Sequence, residues 1–368
     1  MRTDTLIVGG GLSGLYLAYR LATEQRPFLL VEARDRLGGR ILSPPMAQQN
    51  MQTDARFDLG PAWMWPEMQP LLRQLLADLG LTLFAQYTEG AILYEDAGDA
   101  APKKFHDPSA HALSYRLTGG AGRVIQQLAA TLPASCLLLN HRVVRIAKQA
   151  TTVEVETQDA QGSRARIAAR QVVLALPPRL LARNVELVPA LPAATRDAWI
   201  GTPTWMAGQA KVLVLYATPF WRALGLSGEA FSRRGPLTEI YDASPAQGGP
   251  YALFGFFGIS ADGRRQLGEV ALQQMCLAQL RRLFGEAADQ PLAVVIKDWA
   301  EDTLTATADD RLASAHHPAY GIPAVGRTLW DGQLIWAGSE TAAISGGYLE
   351  GALEAAQAAL AQIKNGSR

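Results

Sequence analysis

The spacing Gly9-x-Gly11-x-x-Gly14 lies between a β-prone apolar run, Thr5–Val8, and a segment with helical apolar spacing, Leu12–Ala22. In that setting each glycine has its own task. The first permits a tight turn, the second lets backbone approach a pyrophosphate, and the third brings helix and strand into contact. The helix start, which includes Ser13, offers free N–H groups and about half a positive charge to phosphate oxygens. A second strand, Pro27–Val31, runs into Glu32 and Ala33. A carboxylate there can accept bonds from both hydroxyls of a ribose. A 2′-phosphate would meet like charge, which argues against NADP. The set implies dinucleotide binding and does not choose between NAD and FAD.

The stretch Glu32-Ala33-Arg34-Asp35-Arg36-Leu37-Gly38-Gly39-Arg40 makes that choice. A second glycine pair, Gly38 and Gly39, lets backbone and Arg40 reach a pyrophosphate from another side. Arginine suits the task because its planar fork donates two bonds to phosphate oxygens. The stretch resembles the double-glycine motif of flavoproteins with two dinucleotide-binding-type domains. Further blocks, in order, resemble the flavin-containing amine oxidase family, which includes monoamine and polyamine oxidases. Asp58-Leu59-Gly60-Pro61-Ala62-Trp63 is similar to the loop that passes the flavin ring, and Gly119-Gly120 to the next landmark. Val143 and Ile146 resemble the strand whose backbone meets adenine. Lys211, with Pro219-Phe220-Trp221-Arg222 after it, resembles the lysine-bearing strand and its turn. Ala337-Gly338-Ser339-Glu340-Thr341 and Ser345-Gly346-Gly347-Tyr348-Leu349-Glu350-Gly351-Ala352 resemble the closing flavin motif.

That resemblance implies FAD, with Glu340 on ribityl or phosphate-linked oxygens. A helix starting near Leu349 would direct its positive end at the flavin edge that gains negative charge on reduction. The resemblance also implies a catalytic Lys211, bridged by water to the flavin, and a Tyr348 that guides an amine with its electron-rich face. The sequence departs from the family in three places. Ala308 stands near the position of the linking cysteine of monoamine oxidases, and no cysteine occurs in that region, so the flavin is expected to be non-covalent. Asp309 or a neighbour falls where the second aromatic wall belongs; Trp63, Trp65, Trp299 and Trp330 are candidates to rebuild it, although each reads first as a core-packing residue. The segment before Gly119 is short where relatives carry a helical insertion that roofs the cavity, so the site is expected to be more open or roofed by a partner subunit.

The elements that must position these residues read coarsely from pattern. Apolar spacing predicts helices at Met68–Leu81, Val124–Thr131, Val270–Phe284 and Leu349–Ile363. Strands are predicted at Leu137–Asn140 running on to Ile146, and at Thr151–Thr157, Val172–Leu176, Ala210–Tyr216 and Tyr251–Gly258. Thr88–Pro108 reads as a polar, acidic stretch without an element. Lysine plus arginine equals aspartate plus glutamate at 34 each, and this balance argues against nucleic-acid or anionic-membrane partners. Cys136 and Cys276 are too few for a disulfide framework or a metal site and read as small apolar residues. No cleavable leader pattern and no apolar run near the ~20 residues of a membrane span is visible. A soluble, cytoplasmic protein is expected. His316-His317 reads as a loop pair, and no metal site or nucleophile motif stands out.

The fold class expected is α/β: a doubly wound, Rossmann-like FAD-binding domain interleaved with a smaller α+β substrate domain carrying a mixed sheet. Residues 1–64, 117–199 and 301–368 form the first, residues 65–116 and 200–300 the second. The expected reaction takes a hydride from a C–H beside an amine nitrogen, with oxygen as the acceptor that yields hydrogen peroxide. The alternatives are a flavin-dependent desaturase or dehydrogenase with another acceptor, and a weakly catalytic FAD-binding scaffold. A small-molecule amine and oxygen or another acceptor are the expected partners. Substrate identity and oligomeric state stay open.

Overall fold

The computed structural model describes residues 1–46, 55–98, 100–107, 114–311, 316–321 and 329–365. The chain begins with β1 (Arg2–Val8), α1 (Leu12–Thr23), β2 (Phe28–Val31), α2 (Pro70–Asp78) and β3 (Leu83–Ala85). It continues through β4 (Ala91–Glu95), β5 (Lys103–Phe105), β6 (Tyr115–Leu117), α3 (Gly122–Ala130) and β7 (Leu137–Leu138). Next come β8 (Arg142–Lys148), β9 (Val153–Gln158), β10 (Arg164–Leu174), α4 (Pro178–Asn184), β11 (Glu186–Val188) and α5 (Ala193–Ile200). The middle holds β12 (Ala210–Tyr216), α6 (Phe220–Ala223), β13 (Leu226–Ser232), β14 (Leu237–Asp242) and β15 (Tyr251–Phe257). Then α7 (Ala261–Leu267), α8 (Glu269–Phe284), β16 (Ala293–Asp298), β17 (Leu334–Trp336) and α9 (Leu349–Asn365) complete it.

The first sheet has a parallel centre in the order β17-β10-β1-β2-β7. Strand β10 serves two neighbours on one edge. Arg164–Ala169 pairs antiparallel with β9, and Val172–Leu174 pairs parallel with β17. Side chains alternate across each strand, so Ile7, Leu30, Val173 and Ile335 pack under α1, α2, α3 and α9. Leu6, Val8, Val31, Val172 and Leu174 join the other side, with β8, β9, Leu181 of α4 and Trp199 of α5. The structure is α/β, its parallel strands covered by α1, α2, α3 and α9 on one face and by β8, β9, α4 and α5 on the other.

The second sheet is mixed, in the order β16-β12-β15-β14-β13-β4-β5, and only its β13–β4 pairing is parallel. Strand β12 is buried along its whole length. Val212, Val214 and Tyr216 face Leu272, Cys276 and Leu280 of α8. Leu213 and Leu215 face Met46, Phe57 and Leu59. Lys211 has the parity of Leu213, and this alternation aims it at the segment before α2.

Three sequence expectations change. The run from Leu137 to Ile146 is not one strand: Asn140 adopts a left-handed φ of 59°, so β7 ends beside β2 and β8 starts a separate hairpin with β9. The helix expected from Met68 to Leu81 is confined to α2, because Pro70 opens it and Gly80 follows with a φ of 63°. The polar stretch after Thr88 contains β4 and β5, which its composition hid. Among the described residues, no helix is long and apolar enough to cross a membrane.

Candidate active site

A cavity of about 390 Å³ runs from the C-terminal edge of the parallel sheet to the face of the mixed sheet. At its sheet end the three glycines differ in what surrounds them. Gly9 has a φ of 110°, and a Cβ there would lie 2.5 Å from the Ala175 carbonyl oxygen. A Cβ on Gly14 would stand 2.0 Å from the Gly9 carbonyl oxygen, so Gly14 is fixed by helix–strand contact and does not line the cavity. A Cβ on Gly11 would meet nothing within 4 Å. The missing side chain at Gly11 therefore leaves a bare backbone cradle, as a phosphate requires.

Glu32 is 4% exposed, and both its oxygens accept backbone N–H groups, from Gly10 at 2.7 Å and Arg34 at 2.9 Å. Ala33, Gly38 and Gly39 continue the lining, and Gly38 N–H donates to Gly10 O at 2.8 Å. Ser13 hydroxyl donates to Ala337 O, which ties α1 to the end of β17. Val143 lines the cavity near Glu32, whereas Ile146 is in the core.

The two ends of the chain meet at Arg40. Its Nη1 lies 2.7 Å from Glu340 Oε1 and donates to Trp205 O at 3.1 Å; its Nη2 donates to Ser339 Oγ at 3.0 Å. Glu340 is fully buried, accepts from Ser339 Oγ at 2.9 Å and accepts the Trp205 N–H at 3.4 Å. Both backbone groups of Trp205 are thus held by one ion pair, whose carboxylate is fully buried. Gly338, Ser339, Glu340, Gly347, Tyr348 and Leu349 all reach the cavity, at the start of α9.

Gly60, Pro61, Ala62 and Trp63 line the other end with Lys211. Lys211 is 4% exposed, donates to Gly60 O at 2.7 Å, and lies 4.5 Å from the Phe254 ring centroid. Burial pushes its ammonium down to about 8, against the pull of Asp58 and with a further push from Arg116. The result is a lysine that can change charge near neutral pH. Tyr348 is 39% exposed and stacks on His317, with centroids 4.8 Å apart and planes 8° apart. Trp205 meets His317 edge-on at 4.5 Å and Tyr348 at 6.2 Å.

Trp205 and His317 escaped sequence reasoning; neither belongs to a local pattern, since distant contacts place them. His317 does sit in a loop, yet its ring belongs to this aromatic group. Trp63, Trp65 and Trp299 reach the cavity, but Trp330 packs beside the first sheet and is not a wall. Asp309 lies 2.8 Å from Arg183 in an ion pair at the surface. Among the described residues, no group of three or more histidines, cysteines or acids could hold a metal. A bare glycine turn, a buried acid at the strand end and a helix start facing the same cavity fit a dinucleotide carrying a ring at the Lys211 end.

Comparison with known proteins adds a family. The model of the flavin containing amine oxidoreductases matches residues 94–363, and a Rossmann-like NAD(P)-binding model matches residues 7–79. The chain is 24% identical to a probable flavin-containing monoamine oxidase A of Dictyostelium discoideum, over 98% of this chain and 97% of that one. It is 24% identical to a putrescine oxidase of Kocuria rosea, over 98% and 95% respectively. The fold is similar to that of wild-type putrescine oxidase bound to putrescine, with a TM-score of 0.81, 21% identity and 100% of both chains covered.

Proposed function

Starting from a chain that belongs to the flavin-containing amine oxidoreductase family, we propose that this FAD-dependent oxidoreductase oxidises a small-molecule amine. A flavin bound in the cavity would supply the redox chemistry: hydride acceptance from the C–H beside the amine nitrogen, and return of the electrons to oxygen as hydrogen peroxide. The observation that carries the reading is a buried lysine of lowered proton affinity, set among aromatic rings at the far end of a glycine-lined cavity.

The protein's own groups supply binding, orientation and exclusion of water. Gly9, Gly11 and Ser13 would cradle the pyrophosphate, with Gly14 closing helix against strand. Glu32 and Ala33 would hold the ribose; Val143 would border the adenine. Gly38, Gly39 and Arg40 would close the phosphates from the side, and Gly338, Ser339 and Glu340 would anchor Arg40 there. Gly60 to Trp63, with Gly347 and Leu349, would border the ring. Tyr348 and Trp205 present π-faces and apolar edges to an amine. Lys211, when protonated, disfavours a second cation beside it and so favours the neutral amine. The flavin is held non-covalently, residues 1–64, 117–199 and 301–368 serve the cofactor, and residues 65–116 and 200–300 serve the substrate.

Anaerobic mixing of the yellow protein with a panel of amines and amino acids tests the reading. Bleaching by an amine, followed by fast recovery in air with peroxide release, is the expected result. Bleaching with slow recovery in air would replace oxygen by another acceptor. Full flavin occupancy with no bleaching by any compound would reduce the protein to a binding scaffold.

A further inference from the structure

Lys211 is held from behind by a second buried side chain. Its ammonium donates to Gly60 O at 2.7 Å and lies 3.4 Å from Asp58 O, so the turn Asp58–Gly60 decides where the charge sits. That turn is anchored in its turn by the Asp58 carboxylate. Asp58 Oδ1 accepts from the Ser43 hydroxyl and, at 2.8 Å, from the Ala121 N–H; Ser43 Oγ accepts the Gly122 N–H at 2.8 Å. The carboxylate thus docks at the start of α3, where free amides favour negative charge. Even the glycines there are fitted to it: a Cβ on Gly120 would stand 3.1 Å from Asp58 Oδ1.

The charges facing Lys211 from the packed elements are few. On β16, Lys297 stands opposite it in register, but lies 3.0 Å from Asp302 and is paired with it. On β15, Phe254 and Phe256 present ring faces. On β6, Arg116 is buried and donates to the Ser244 and Ala243 carbonyls at 2.7 and 2.9 Å. From the turn comes Asp58, 4% exposed. Burial raises the Asp58 carboxyl and lowers the Lys211 ammonium, Arg116 favours the carboxylate and opposes the ammonium, and each member of the Asp58–Lys211 pair favours the charged form of the other.

We propose that Asp58 is the positioning residue of this site: by the turn it anchors and the charge it carries, it holds Lys211 at the cavity floor in the ammonium form. The role rests on the reading of Lys211 as a working group of an amine-oxidising site. The proposal itself concerns a proton, so it can be read without turnover.

The experiment follows the Lys211 Nζ resonance by NMR in the full chain as purified, labelled with ¹⁵N-lysine and assigned with Lys211→Met. The parent midpoint is expected near 8. Asp58→Asn keeps an oxygen acceptor for Ser43 and Ala121 but removes the charge, and is expected to lower the midpoint by roughly one to two pH units. Ser43→Ala, which removes one hydrogen bond favouring the carboxylate and loosens the turn, should lower the midpoint by less than Asp58→Asn does. An unmoved midpoint in Asp58→Asn overturns the proposal. If Asp58→Asn does not fold, the carboxyl ¹³C resonance of Asp58 in the parent decides. An ionised Asp58 at neutral pH supports the role, and a protonated one overturns it. Loss of amine oxidation in every assay would sink the proposed function and leave this titration intact.

Discussion

Lys211 is the one charged residue on an otherwise apolar, buried strand, and its burial gives it a charge that changes with modest pH. Lys211→Met is expected to leave flavin bound and to slow reoxidation by oxygen about a hundredfold, within the range for a positioned proton donor or charge. In the parent, stopped-flow reoxidation should fall as pH rises through about 8, while the methionine variant gives a flat profile. An unchanged rate in the variant would remove Lys211 from the chemistry. Folding carries the same signature. The native ammonium releases its proton near 8 and the unfolded one near 10.5, so the unfolded state binds more protons between those values. The neutral lysine's contribution to stability is therefore complete above the higher value and lost as pH falls through the lower. As a residue, Lys211 was legible in the sequence because it interrupts an apolar run. Trp205 was not. Its position depends on Arg40 and Glu340, which are remote in sequence, and no local spacing announces such a clamp.

At the scale of elements, Glu350 joins two helices that sequence treats separately. It is the second residue of α9 and is 2% exposed; its oxygens accept the N–H groups of Leu71 at 2.8 Å and Leu72 at 2.9 Å. The residue that should cap α2, Gln69, instead accepts the Trp65 N–H at 2.8 Å. A carboxylate from another helix therefore satisfies the orphan amides of α2, and Trp65 and Gln69 line the cavity beside it. Glu350→Ala is expected to destabilise the protein by about 2 kcal/mol, the size of a lost charged cap less the relief of desolvation. Glu350→Gln should cost less, since one amide acceptor remains. Equilibrium urea unfolding reads both, and equal stability of the alanine variant and the parent would refute the cap. Strand β12 and the start of α9 were readable because each carries its own periodicity and punctuation. Strands β4 and β5 were not, because their pairings with β13 and with each other supply the order that their polar composition withholds.

On the scale of the molecule, one cavity joins the glycine turn near the N-terminus to a helix start near the C-terminus, with the mixed sheet closing the far end. This convergence was visible as motifs in the sequence; the route between them was not, since it depends on how the mixed sheet packs against Phe57 and Leu59. The same geometry bears on how a flavin in that cavity would be retained. A thioether link needs a thiolate within reach of the ring, and the two cysteines lie elsewhere. Cys276 is fully buried on α8 behind the mixed sheet, and burial pushes its thiol up to about 12. Cys136 packs against the core on the helical side of the parallel sheet, and neither cysteine lines the cavity. Ala308, near the place of the linking cysteine in the family, sits in a short turn capped by Thr307. Under the proposed function, retention would rest on the glycine turn, Glu32, the Arg40–Glu340 clamp and the start of α9 together. Acid precipitation, which dismantles all of these at once, is expected to send the whole yellow colour into the supernatant as free FAD. Colour that stays in the pellet would mean a covalent bond through a side chain other than cysteine sulfur.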